Sequence, residues 1–199
     1  MEKNKVEISA GDFFTQKLQV GDIQTHSWAY CSDLCMDKKV LHIGCSDYPI
    51  FNLGTNMHLK LVDFASELHG CDPNGLEELK GYYDGIYFKD IAEVDREYDV
   101  VLVPNIIEHL ENPGALLKEL FKIKFKQMFV LVPNYSIYTQ ASYQEGVFTE
   151  RIHPDHFAWY SPYTLWNLFK KYMEALGCTY ELNFFDNGSM ISILIQNGE

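Results

Sequence analysis

From residue 40 to residue 176, short apolar runs of strand length alternate with segments of helical pattern. Residues 40–43, 67–72, 86–88, 98–103 and 127–132 read as strands, and 76–81, 113–121 and 162–176 as helices. Such alternation confines a chain to a parallel sheet covered by helices on both faces. Within 98–103 the run 100–103 is apolar throughout, the pattern of a strand buried on both sides. After residue 176 the pattern changes. Residues 180–185 and 190–195 flank Asp186-Asn187-Gly188-Ser189, a turn sequence that favours a hairpin. The hairpin is expected to add one antiparallel strand at a sheet edge.

Local signals support these bounds. Pro113 and Pro162 stand in first turns, where a missing N–H costs nothing. Ser161 suits an N-cap, and Gly177 the C-terminal end of the same helix. Residues 53–65 carry a weak pattern that fixes no element. Residues 12–35 hold Phe13, Phe14, Leu18, Trp28, Tyr30, Leu34 and Cys35, with helical spacing in the second part, and predict one or two helices before the first strand. No repeat, low-complexity segment or Pro/Gly/Ser-rich linker interrupts the 199 residues, so one domain spanning 1–199 is expected. Within it, 1–37 forms an N-terminal helical cap segment and 38–199 the core, with an insertion at 134–161.

The 28 acidic against 16 basic residues give a net charge of −12. An acidic surface argues against a nucleic-acid backbone or an anionic membrane as partner, since both call for a basic face. The basic stretch 118–126 is interleaved with apolar residues and reads as the solvated side of a helix leading into a strand. No apolar run approaches the ~20 residues that span a bilayer, and no signal-type segment follows the polar start. A cytoplasmic protein is expected. The five scattered cysteines do not form a disulfide framework. Cys31 and Cys35 read as small apolar packing residues, and no metal ligand is assigned.

Four blocks carry chemistry. Val40-Leu41-His42-Ile43-Gly44-Cys45-Ser46-Asp47-Tyr48-Pro49 is a short strand ending in a glycine turn, where backbone can approach a ligand closely. Leu68-His69-Gly70-Cys71-Asp72 ends a second strand on a carboxylate, 28 positions after Gly44. Lys89-Asp90-Ile91-Ala92-Glu93 follows a third strand. Tyr98-Asp99-Val100-Val101-Leu102-Val103-Pro104-Asn105-Ile106-Ile107-Glu108-His109-Leu110-Glu111-Asn112-Pro113 spans a fourth strand and the turn beyond it.

Together these blocks resemble a class I S-adenosylmethionine-dependent methyltransferase of the small-molecule subgroup related to ubiquinone-type O-methyltransferases. The resemblance covers roughly residues 38–195. It implies an α/β, Rossmann-like, mostly parallel seven-stranded sheet with helices on both faces and a C-terminal antiparallel hairpin. It also implies S-adenosyl-L-methionine as cofactor, held by Gly44, Cys45, Ser46, Asp72, Asp90, Ile91 and Asn105. Asp72 would accept from the ribose hydroxyls, or else cap the turn before Pro73. Asp90 would accept from the adenine amino group with Ile91 on the ring, or else act as a local N-cap. The chain departs from the family's glycine-rich loop: His42 stands where Asp is usual, and Ser46 and Tyr48 replace the second and third glycines. Glu is more common in the family where Asn105 stands.

Methyl transfer is an in-line displacement at a sulfonium carbon, so holding the reacting atoms in line is the main task. A hydroxyl nucleophile gains from a base, and imidazole titrates in the right range. His109 is a candidate for base, for pocket wall or for a purely structural role. The segment Arg151-Ile152-His153-Pro154-Asp155-His156-Phe157-Ala158-Trp159-Tyr160-Ser161 adds His153 and His156 as further base candidates, with Asp155 fixing a tautomer, or as pocket-wall residues; a metal site of these histidines and the carboxylate is the weaker alternative, since so tight a triple needs an external ligand. Tyr135, Tyr138, Tyr143, Phe148, Phe157, Trp159 and Tyr160 suit either a lid and sugar-stacking wall or local core. His26 and Trp28 are candidates to close over the pocket. The expected reaction is methylation of a small-molecule hydroxyl, with an amine as the less favoured acceptor; the His- and aromatic-rich segment alone suggests a sugar or glycan precursor. The alternative is a noncatalytic methyltransferase-like binding protein. The acceptor's identity and the oligomeric state are not encoded in these features.

Overall fold

The structure, a computed structural model, describes residues 25–151 and 153–198 together with 15, 17, 18 and 23. Phe13 and Phe14 lie outside the described residues. Among the described residues nine strands and six helices follow in order. Helix α1 (Ser27–Cys35) precedes β1 (Lys39–Ile43), α2 (Met57–Leu61), β2 (Glu67–Cys71), α3 (Leu76–Lys80) and β3 (Ile86–Phe88). Then come β4 (Glu97–Pro104), α4 (Pro113–Leu120), β5 (Lys124–Pro133), α5 (Tyr135–Tyr138), β6 (Ser142–Gln144) and β7 (Val147–Thr149). The chain closes with α6 (Pro162–Leu176), β8 (Thr179–Phe185) and β9 (Met190–Gln196).

Seven strands form one sheet in the order β3-β2-β1-β4-β5-β9-β8. Strands β1 to β5 pair in parallel, and β9 runs antiparallel to both β5 and β8. The fold is therefore the expected α/β sheet with a C-terminal antiparallel pair. One detail differs: the antiparallel strand is not at the edge. The last strand is inserted between β5 and β8, and β8 forms the edge. A hairpin sequence fixes that two strands pair, but not which of them docks onto the sheet.

Both sheet faces are buried, as the unbroken apolar run of β4 requires. Val101 and Val103 join one core with Leu117, Leu120, Leu165 and Phe169 from α4 and α6. Val100 and Leu102 face the other way, with Cys31, Cys35 and Leu61 from α1 and α2. This period-2 division continues along β5, with Met128 and Val130 on the first face and Phe129 and Leu131 on the second. Burying a side chain such as Phe129 or Phe169 contributes about 1.5–3 kcal/mol.

Helix α6 begins and ends where its sequence dictates. Thr164 N–H donates to Ser161 Oγ at 3.2 Å, and Ser161 N–H donates to Thr164 Oγ1 at 2.9 Å, a reciprocal capping box. Gly177 closes the helix at φ 67°, a left-handed position suited to glycine. Lys122, Lys124 and Lys126 pair with Glu119, Glu97 and Asp99, consistent with a solvated basic stretch. All five cysteines are free, and Cys31 and Cys35 are fully buried packing residues. Among the described residues no helix is long and apolar enough to cross a membrane.

Candidate functional site

The strand order reverses between β1 and β4, and open α/β sheets bind ligands beyond the carboxyl ends of strands at such a point. A cavity of about 1050 Å³ opens there. Its walls come from the ends of β1 (His42, Ile43, Gly44), β2 (Cys71, Asp72) and β4 (Pro104, Asn105), and from Asp90 and Ile91 after β3. His109, His153, Asp155 and Phe157 close the far side. A smaller depression at the opposite, amino-terminal end of the parallel strands is lined by Asp37, Lys38, Asp99 and Lys126, and none of the anticipated residues reaches it.

The turn after β1 is shaped by glycine. Gly44 has φ 75°, and a Cβ there would collide with the Ile106 side chain. Asp47 (φ 55°) and Asn105 (φ 52°) are also left-handed and also line the cavity. Asp and Asn tolerate that region better than other non-glycine residues. This gives Asn105 a local reason to stand where the resemblance leads one to expect Glu. Its N–H donates to the Leu131 carbonyl at 2.8 Å, which ties the turn to β5.

Asp72 is 8% exposed and already engaged. Its Oδ2 accepts from Ser46 N at 3.1 Å and from Ser46 Oγ at 2.9 Å, and its Oδ1 accepts from Asn74 N at 3.0 Å. It both caps the turn and faces the cavity. Asp90 likewise plays its local role: its Oδ1 accepts from Ala92 N at 2.9 Å at the start of a single helical turn. Asp90 and Ile91 remain on the wall. The side chains of Cys45 and Ser46, by contrast, do not line the cavity. Cys45 points into a small core with Leu76 and Leu79, and burial raises its thiol well above the ordinary range. Ser46 is 1% exposed and turned toward Asp72.

Four wall residues are carboxylates, Asp47, Asp72, Asp90 and Asp155, against the single ammonium of Lys89. Burial pushes the Asp47 carboxyl up, while Asn56 Nδ2 donates to its Oδ2 at 2.9 Å and opposes the shift. His42, at the floor, is 1% exposed and stacks on buried His58 with ring centres 5.5 Å apart. Burial lowers His42 well below the ordinary histidine range and His58 to about 3, so both are neutral rings near pH 7.

The histidines of the far wall converge. Phe157 N–H and Ala158 N–H both donate to the Glu108 carbonyl, at 2.8 and 3.2 Å, and hold the segment around residue 156 against the turn after β4. The His109 ring centre is 5.7 Å from that of His153 and 4.6 Å from that of His156. The Asp155 carbonyl can only accept, so His109 Nδ1, 3.1 Å away, carries the proton and Nε2 keeps the lone pair. Burial lowers His109, opposed by its bond to Asp155. Burial, then neighbouring His109 and His153, push His156 down to about 4. His109 and His153 line the cavity, while His156 packs behind them against Trp159 and Tyr138.

Glu108, unremarked in the sequence except as His109's neighbour, is 1% exposed with neither carboxylate oxygen hydrogen-bonded among the described residues. Burial raises it to about 8. The aromatic cluster divides: Tyr160 is core at 6% exposure, whereas Tyr143, Phe148 and Phe157 are exposed. His26 and Trp28 do not close over the cavity. His26 Nδ1 is 3.1 Å from Asp186 Oδ1, and Trp28 packs edge-on to Phe64.

No family model and no curated protein matches the chain. Solved structures do. The small RNA methyltransferase HEN1 superposes with a TM-score of 0.60 at 14% identity, covering 86% of this chain and 25% of that one. This chain thus spans a quarter of HEN1's length. An S-adenosylmethionine-dependent methyltransferase from Mesorhizobium loti gives 0.57 at 12% identity, over 86% of this chain and 96% of the other. Magnesium protoporphyrin IX methyltransferase from Synechocystis, with SAH bound, gives 0.53 at 10% identity, over 86% and 80%. At these identities the likeness is one of fold, a Rossmann-like methyltransferase sheet.

Proposed function

We propose that the cavity binds S-adenosylmethionine and that the chain transfers its methyl group to a small-molecule hydroxyl. The observation that carries this reading is the charge of the wall: four carboxylates and one ammonium among its described residues. A sulfonium nucleoside is cationic at sulfur and presents a diol to a carboxylate, and such charge-assisted bonds are stronger than neutral ones. A phosphate backbone would meet repulsion there. Asp72 is assigned to the ribose, Asp90 and Ile91 to the adenine, and Gly44 and Asn105 to the methionine end. The fold shared with methyltransferases, one of them SAH-bound, supports the cofactor.

The acceptor end is then the wall of His109, His153 and Phe157, with segment 134–161 as the acceptor side of a single domain. In the metal-free chain, His109 presents a neutral ring whose Nε2 lone pair is available to an incoming hydroxyl. The exposed aromatic ring of Phe157 suits the apolar face of a sugar, so a sugar or glycan precursor is the preferred acceptor class. Five free thiols accord with a reducing, cytoplasmic setting. A second reading, binding without turnover, is favoured by one observation: Ser46 and Asn74 already occupy three acceptor sites of Asp72.

Calorimetric titration with S-adenosylmethionine and SAH tests the first step. Saturable one-to-one binding is expected, and no heat at millimolar ligand would sink the reading. Incubation with methyl-labelled cofactor tests the second. Label should enter a small hydroxylated metabolite or glycan precursor from a cell extract. Label in an RNA fraction would overturn the acceptor assignment, and binding without any labelled product would favour the noncatalytic reading.

A further inference from the structure

We propose that His109, His153 and His156 form a binding site for one transition-metal dication of the Zn²⁺ type. One ring nitrogen from each of the three lies within 4.8 Å of the others. Among the described residues this is the one group of histidine, cysteine or carboxylate ligands so gathered. Two independent features fit ligation. The Nδ1–H of His109 is spent on the Asp155 carbonyl at 3.1 Å. That is the usual outer partner of a metal-bound imidazole, and it leaves Nε2 as the ligand atom. His156 Nδ1 is buried with no hydrogen-bond partner among the described residues, and an ion would satisfy it.

Three nitrogens at about 2.0–2.1 Å from a tetrahedral ion stand about 3.3 Å apart. The observed spacing must therefore close by roughly 1.5 Å. The rings that must turn out of parallel to aim at one ion are His153 and His156, stacked with centres 4.3 Å apart and planes at 23°. His153 is the freer of the two. Its Nδ1 accepts only a long bond, 3.4 Å, from Asp155 N–H, and Pro154 and Asp155 beside it are exposed. An all-imidazole set selects borderline dications over Mg²⁺, which prefers carboxylate and water oxygens. Three protein ligands leave a coordination position open. Because His109 and His153 line the cavity, that position faces the end assigned to the acceptor, and only this last placement rests on the methyl-transfer reading.

The test uses the full, untagged chain stripped with chelator and titrated with Co²⁺, with no cofactor present. Visible ligand-field absorption should saturate at one ion per chain, be displaced by Zn²⁺ and be unaffected by excess Mg²⁺. His153→Ala and His109→Ala should each weaken Co²⁺ binding at least tenfold, while His26→Ala, at an exposed ring outside the cluster, should leave it unchanged. Circular dichroism of each variant reports its folding. Should His109→Ala fail to fold, His153→Ala decides the matter alone. Absence of absorption in the wild-type chain, or absorption that survives His153→Ala, would overturn the proposal. Neither result bears on cofactor binding, so the two readings fail separately.

Discussion

Ser46 Oγ donates to Asp72 Oδ2 at 2.9 Å, and the Ser46 amide donates to the same oxygen at 3.1 Å. The residue that replaces the second glycine of the resembled loop thus occupies the carboxylate assigned to the ribose. A carboxylate has about four acceptor sites, and with the Asn74 amide three are filled. Ser46→Gly frees one. S-adenosylmethionine should bind several-fold more tightly to that variant by calorimetry, and unchanged affinity would show that Ser46 does not compete.

Asp72→Ala acts in the opposite direction and on two observables. Losing hydrogen bonds to a charged group costs about 1.5–3 kcal/mol, equivalent to a ten- to hundredfold rise in cofactor Kd. The same change orphans the Ser46 and Asn74 donors, so the melting temperature should fall as well. Lower stability with unaltered affinity would move the ribose elsewhere.

Gly44→Ala combines a left-handed backbone with a collision against Ile106. The backbone cost is roughly 1–2 kcal/mol, and forcing a methyl into a packed site adds about 1–3 kcal/mol. Urea unfolding of Gly44→Ala should show the sum. The double change with Ile106→Ala relieves the collision but creates a hole of its own, so a double-mutant cycle should read a coupling of at least about 0.5 kcal/mol.

His42 and His58 should contribute to acid sensitivity. Both are depressed in the folded chain by burial, so the unfolded chain takes up their protons first. The stabilisation is complete above about pH 6.5 and is lost as pH falls toward the folded values, by up to about 1.4 kcal/mol per unit per ring. Denaturant unfolding between pH 7.5 and 5 should show that slope. His58→Phe keeps the ring and removes one titration, which should flatten it by up to about 1.4 kcal/mol per unit. An unchanged slope would place the acid-sensitive group elsewhere.

His109→Ala should slow turnover by a hundredfold or more, the scale of a group acting on the acceptor proton, with cofactor affinity nearly unchanged. His156→Ala, behind the wall, should do less unless the three rings work as a unit. Equal rates in wild type and both variants would remove the histidine wall from the chemistry.

Much of this was legible in the residues because it is governed locally. Ser161 and Gly177 fixed both ends of α6, and the apolar run of β4 announced burial on both faces. Other features depend on contacts between distant segments. The five-residue α2 is held by the Asn56 cap and by packing of Leu61 rather than by any stripe. Strands β6 and β7 are exposed at every position, so no alternation marked them. Gly44, Asp72, Asp90 and Asn105 could be placed on one rim because strand ends define it. The engagement of Asp72 by Ser46 depends on a side-chain rotamer, and the convergence of His109 with His153 and His156 depends on two amide bonds to the Glu108 carbonyl.

Among the described residues, strand β8 hydrogen-bonds to the sheet only through β9, which is made after it. As the chain leaves the ribosome, the five parallel strands can assemble, but β8 has no ladder to join until residues 190–196 have emerged. The far edge of the sheet is therefore completed by its latest-synthesised strand. A truncation before residue 190 would remove one strand and leave a second adrift, exposing the flank of β5 to any passing chain.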